Sequence, residues 1–322
     1  EALLALRGPD RKYGHFMDHI LRRISDELIA QGRFQVAVPF LDELARRRPR
    51  DLTPRLRRAE ARLRSGQAAQ AAAELEQFVE ASPTNGHAKM LLGLARLELG
   101  ATNEAIDLLR EATTLNQESP EASYSLGYGL LRLGNAGGAE EAFRKTLALN
   151  PADPDALLRL AELLVGRGAW EEGAETWDAL ASLRPESWEL QHRAARAWAS
   201  AGRYAKARDG LESCLQTKSD NLLPMNDLAW LMATCSDDAI RDGRRALELA
   251  LRADELTQYR DPVVIDSLAA SYAELGDFGS AVEAARRAQS LAQEPLAGCI
   301  AKRLALYESG QPYRDVPGQS CP

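Results

Sequence analysis

The residues in this chain most able to carry chemistry are four histidines, His15, His19, His87 and His192, and four cysteines, Cys214, Cys235, Cys299 and Cys321. No histidine belongs to an HExxH pair or stands beside a serine or cysteine nucleophile in sequence. The cysteines are widely spaced, with no CxxC and no histidine cluster, which removes tetrahedral zinc ligation as a reading. Cys214, Cys235 and Cys299 fall in apolar helical patterns, so core packing is favoured over a disulfide framework. Cys321, in a Pro/Gly tail, reads as an exposed free thiol. Gly127-Tyr128-Gly129 opens like a dinucleotide loop but has neither a preceding strand nor the third glycine. Gly134 to Gly138 lacks the Lys-Ser/Thr of a phosphate loop. The carboxylate pairs Glu171/Glu172 and Asp237/Asp238 fall at turns or first helical turns, where negative charge complements the helix dipole. No catalytic constellation, cofactor site or metal site emerges, and the chain reads as a non-enzyme.

The elements that would position these residues follow from length, composition and period. At 322 residues the chain exceeds one compact domain, so either two or three ordinary domains or a repeat array is expected. With 45% hydrophobic and 27% charged residues it can fold. A net charge of −7 disfavours broad phosphate neutralisation, so nucleic acid is not an expected partner. No apolar run reaches the ~18 residues of a membrane span. The first residue is Glu1, read as the start of a processed or trimmed chain, so that any targeting segment would be out of view and the compartment is not indicated.

Gly32, Gly66, Gly100, Gly134, Gly168 and Gly202 recur every 34 residues. At a background of about 7% glycine such a run has a chance of roughly one in a million. Alanine follows most of these glycines at a fixed step (Ala37, Ala71, Ala105, Ala139, Ala207, displaced once to Ala174), and proline recurs at Pro49, Pro83, Pro151 and Pro185. Glycine after an apolar stretch ends a helix, alanine lets a neighbouring helix approach, and proline marks the next boundary. Leu157, Leu160, Ala161 and Leu164, then Ala139, Phe143 and Leu147, show helical spacing. No sustained strand alternation appears, so an all-α fold of helix, turn, helix, turn is predicted.

This pattern resembles the tetratricopeptide-repeat (TPR) family, and the bacterial type in particular. Its best local match holds Leu126-Gly127, Leu130, Ala139, Phe143 and Pro151, with Ser123 departing from the first aromatic. The resemblance implies a right-handed superhelical solenoid of antiparallel helix pairs. The expected organisation is an N-terminal extension or partial helix at 1–17, then eight pairs at 18–51, 52–85, 86–119, 120–153, 154–187, 188–221, 222–261 and 262–294. A capping helix at 295–309 and an extended tail at 310–322 complete it. The seventh pair inserts about five residues near Ser236 to Gly243, with Ala246 resuming the small-residue role.

In such a fold the first helix of each pair lines a concave groove. By phase the groove is expected to include Tyr124, Tyr128, Arg159, Glu162, His192, Arg193, Arg196, Asn226 and Trp230, with Arg22, Arg57, Met90 and Leu94 at its earlier end. Tyrosine, tryptophan and arginine dominate binding hot spots, so a protein or peptide partner with acidic and apolar residues is expected. The Lys/Asn combination of the family's carboxylate clamp is missing. Trp170, Trp177 and Trp198 match core aromatic positions. Residues 1–67 carry a local charge of +6, read mainly as solvated helix faces. Residues 226–291 resemble the terminal module of large bacterial repeat proteins, which implies as an alternative a noncatalytic module of a membrane-anchored assembly or glycosyltransferase-like enzyme, in a periplasmic or membrane-associated setting.

Overall fold

The computed structural model describes residues 14–315. The expectations for residues 1–13 and 316–322, including the Cys321 thiol, lie outside the described residues. Two compact units divide the chain, residues 1–156 and 157–322. Among the described residues there are seventeen helices and no strand, only one isolated bridge between Cys235 and Asp315.

Unit 1 contains α1 (Gly14–Ala30), α2 (Phe34–Arg47), α3 (Thr53–Arg64), α4 (Ala68–Ala81), α5 (Gly86–Glu98), α6 (Thr102–Leu115), α7 (Pro120–Arg132) and α8 (Ala136–Leu149), and ends in the first turn of α9 (Pro154–Gly166). Each helix from α1 to α7 packs on the next, and α5 also touches α3 and α7. The turn within each pair is closed by the recurring glycine. Gly100 has φ +82°. Its N–H donates to Leu97 O at 3.1 Å and the Ala101 N–H donates to Arg96 O at 2.9 Å. These are the two bonds of a Schellman cap, which satisfies carbonyls that a helix end otherwise leaves open. Gly66 and Gly134 repeat the geometry.

The alanine series explains the close approach of the helices. Ala37, Ala71, Ala105 and Ala139 in unit 1, and Ala174, Ala207, Ala246 and Ala281 in unit 2, are all 0% exposed. Around Ala105 the unit 1 core is built from Leu91, Ala95, Leu109 and Ala112. Gly127 is a packing glycine: a Cβ there would lie 2.7 Å from the Phe143 ring, leaving no room for a ligand phosphate.

Most of the arginines in the early basic run join one helix to another. Arg47 and Arg48 of the α2 end each hold Asp18 of α1 at 2.6 Å. Burial works against ionisation of Asp18, but hydrogen bonds from these two guanidiniums outweigh it and keep the carboxyl below its ordinary value. Arg58 of α3 spans Asp42 of α2 at 2.6 Å and Glu74 of α4 at 3.0 Å. The local positive charge is thus largely spent in ion pairs within unit 1 rather than on a free basic face.

Unit 2 holds the rest of α9, then α10 (Trp170–Ser182), α11 (Trp188–Ser200), α12 (Tyr204–Thr217), α13 (Leu222–Thr234), α14 (Gly243–Leu256), α15 (Pro262–Glu274), α16 (Phe278–Leu291) and α17 (Leu296–Glu308). From α10 onward each helix again packs on the next, and α13 touches α15. Gly276 and Gly310 restore the positive-φ turn, displaced six residues beyond the place that the earlier period assigns them. The extra residues lie between α13 and α14, where Ile240 is buried and Arg241 reaches Glu274 at 3.0 Å. The Asp242 side chain then caps α14 by accepting from the Arg245 N–H at 3.0 Å.

Two expectations are corrected here. Trp177 and Trp198 are core residues at 3% and 2% exposure, but Trp170, the first residue of α10, is 37% exposed, because a helix start lies at the rim of the stack. Cys214 and Cys235 are buried free cysteines, whereas Cys299 is disulfide-bonded and is not a free packed thiol. Burial pushes Cys214 up to about 11 and also raises Cys235, so both stay protonated near neutrality. Among the described residues no helix is long and apolar enough to cross a membrane, and no group of His, Cys, Asp and Glu is arranged to hold a metal.

Candidate binding grooves

Each unit has a groove lined chiefly by first helices of its pairs. In unit 1 it encloses about 900 Å³, with walls from α3, α5 and α7. Its floor is apolar and aromatic, with Leu63, Met90, Leu91, Leu94, Tyr124 and Tyr128. The Tyr124 ring is fixed against Phe143 with centroids 5.5 Å apart, and the Tyr128 hydroxyl accepts from Arg132 at 3.3 Å. Helical phase places Tyr124 and Tyr128 one turn apart on α7, which is why both reach the same hollow. Ser125, between them, is 5% exposed and makes no side-chain hydrogen bond among the described residues.

The unit 2 groove has a cavity of about 490 Å³ bounded by α11, α13, α15 and α17. Several expected site residues form a ladder of contacts along these first helices. Arg159 and Glu162 of α9 pair at 3.2 Å, and Arg193 of α11 approaches Glu162 at 3.9 Å while lying 5.0 Å above the Trp177 ring. His192 Nε2 contacts Asp227 Oδ2 at 2.8 Å, and Arg196 Nε lies 3.7 Å from the same carboxylate. His192 is buried and tied to α13, whereas Arg196 is 71% exposed along its side chain and borders the cavity. Asn226 is buried, and its Oδ1 has no hydrogen-bond partner among the described residues. A buried acceptor left open costs roughly 1–3 kcal/mol, so this atom calls for a donor entering the cavity.

Trp230 is surrounded by residues that phase did not single out. Arg303 of α17 stacks over the Trp230 ring at 5.2 Å and over Tyr313 at 5.5 Å, and the Trp230 and Tyr313 rings lie 5.8 Å apart. Arg303 is also bidentate to buried Asp266 of α15, Nε to Oδ1 at 3.2 Å. The segment 311–315 lies along α13: the Asp315 N–H donates to Thr234 O at 2.8 Å, Trp230 Nε1 donates to Asp315 Oδ2 at 3.2 Å, and the Tyr313 hydroxyl donates to Asp315 Oδ1 at 3.3 Å. Arg314 pairs with Glu274 at 2.7 Å. Burial and the adjacent Asp315 carboxylate raise the Tyr313 phenol, which stays protonated as a donor. The aromatic-x-acid spacing of Tyr313 and Asp315 also occurs elsewhere, as at Phe40/Asp42 and Tyr272/Glu274, and the segment lies beyond the repeats, so neither motif nor period could reveal this arrangement.

Two tetratricopeptide-repeat family models match the chain, over residues 56–123 and 130–196. No curated protein sequence matches it. Similar solved structures include YrrB, described as a TPR protein with an unusual peptide-binding site, at 19% identity over 58% of this chain and 96% of that one, with TM-score 0.48. TTC0263, a thermophilic TPR protein from Thermus thermophilus, is 22% identical over 56% of this chain and 98% of its own, with TM-score 0.49. MamA is 22% identical over 50% of this chain and 94% of its own, with TM-score 0.44. Residues 56–123 and 130–196 thus carry tetratricopeptide repeats, and the glycine turns and buried alanines continue the same helix-pair period through the other described helices.

Proposed function

We propose that the chain is a non-catalytic scaffold whose unit 2 groove holds an extended peptide carrying aromatic and acidic side chains. The observation that supports this reading is the chain's own segment, Pro312 to Asp315. It lies extended against α13 with its backbone paired at one point, its tyrosine stacked beside Trp230 and its carboxylate on the indole N–H. A groove that accommodates this segment has the parts a partner peptide needs: a rigid indole, a buried guanidinium, an exposed Arg196 and an open Asn226 acceptor. Arg159, Glu162, His192 and Arg193 then serve mainly to hold the groove's helices in register, and Tyr124 and Tyr128 belong to the other groove.

The test uses a fluorescein-labelled peptide of the sequence Gln-Pro-Tyr-Arg-Asp and the full chain, read by anisotropy. The resident segment competes with the probe, so Asp315→Ala, which removes the hydrogen bonds that Asp315 accepts from Trp230 and Tyr313, is expected to strengthen probe binding. Trp230→Ala in the same background is expected to abolish it. Probe affinity unchanged by Asp315→Ala would count against the reading.

A further inference from the structure

We infer that the unit 1 groove is a docking surface for a basic peptide segment of another protein, one that carries lysines or arginines around aliphatic anchors. This does not depend on the reading of unit 2, whose probe and residues are different. The groove offers an apolar and aromatic floor of the size ligand sites use, about 900 Å³. Five carboxylates, Glu60, Glu98, Glu121, Asp153 and Asp155, line it against a single arginine, Arg64.

Helix stability accounts for part of this charge and leaves the rest. Asp153 accepts from the Ala156 N–H at 2.9 Å as a cap, and Glu121 and Asp155 lie in first turns, where negative charge is favoured. Arg64 lies in the last turn of α3, where positive charge is favoured. Glu60 is in mid-helix, and Glu98 is the last residue of α5, where the dipole opposes it. Neither forms a salt bridge or a side-chain hydrogen bond among the described residues. Glu60 therefore has no intramolecular cation competing for it, whereas Glu98 has an electrostatic contact with Arg132, the residue that donates to the Tyr128 hydroxyl.

The floor independently points to a ligand. Ser125 lines the groove, is 5% exposed and has an unpartnered hydroxyl able both to donate to and to accept from a peptide backbone. Beside it, the Tyr124 and Tyr128 rings can receive an ammonium or guanidinium on their faces, and Leu94 can receive an aliphatic side chain. Opposite charge at the rim, aromatic rings and an open hydroxyl on the floor thus describe one occupant.

The experiment is anisotropy of a fluorescein-labelled peptide of alternating lysine and leucine with the full chain, at low and high salt, against a glutamate/leucine peptide of equal length. The lysine peptide is expected to bind, more weakly at high salt, and the glutamate peptide not to bind. Glu60→Gln with Glu98→Gln is expected to weaken binding about five-fold, as for two exposed charge pairs, with thermal unfolding unchanged; Glu283→Gln, an exposed acid on α16, is expected to leave it as it was. Equal binding of both peptides, or no response to the Glu60/Glu98 pair of changes, overturns the proposal. So does sedimentation showing a self-associated chain that dissociates on those changes, since the occupant would then be a second copy.

Discussion

Arg303 joins more of unit 2 than any neighbouring side chain: it neutralises Asp266, stacks on Trp230 and supports Tyr313. Both members of its ion pair are 5% exposed along their side chains. Buried pairs are costly to break and often cheap to replace, because the loss lies in the stranded charge rather than in the attraction. Arg303→Met should therefore lower stability by about 3–5 kcal/mol by urea denaturation, whereas Arg303→Met with Asp266→Leu should recover most of that loss. If the double variant is no better than the single one, the arginine acts through its stacking rather than its charge. The same residue shows where sequence reading stops, since nothing in a repeat pattern pairs a capping-helix arginine with an aspartate 37 positions earlier.

At the level of helices and turns the fold was legible because the residues that close each pair are small and can hardly be anything else. A glycine at φ +82° and an alanine with no exposed surface are dictated by backbone handedness and by helix contact, so they recur in phase. The two kinds of glycine separate experimentally. A Cβ at Gly100 meets nothing within 4 Å, so Gly100→Ala should cost only the left-handed backbone term, about 1–2 kcal/mol. Gly127→Ala must push the Phe143 ring aside and should cost more, by about 1–3 kcal/mol of overpacking, in thermal or urea unfolding. The grooves were less legible. Phase found Tyr124, Tyr128, Asn226 and Trp230 among the cavity linings, but missed Glu98 at a helix end and Asp153 in a connection, because neither occupies an inward-facing phase of a first helix. It also placed Trp170 in the core, although a residue at a helix start has a neighbour on one side only.

For the molecule as a whole, net charge is a poor guide to what a surface offers. The early arginines are consumed by Asp18, Asp42 and Glu74, while a few acids on first helices give the unit 1 groove a sign opposite to that of the segment around it. The same locality governs length. Helix pairs that contact mainly their neighbours can absorb added residues in a connection without disturbing the register beyond it, as the stretch between α13 and α14 already does. Ser236, Asp237, Asp238 and Ala239 in that stretch are exposed, whereas Ile240 and Asp242 are committed to packing and capping. A short glycine/serine insertion after Asp238 should leave the melting temperature within about 2 °C, as expected for a change worth less than about 0.5 kcal/mol; the same insertion after Ile240 should lower it clearly. The natural lengthening at this point is thus a seam, a place where a tag or dye could be grafted on while the scaffold on either side carries on with its work undisturbed.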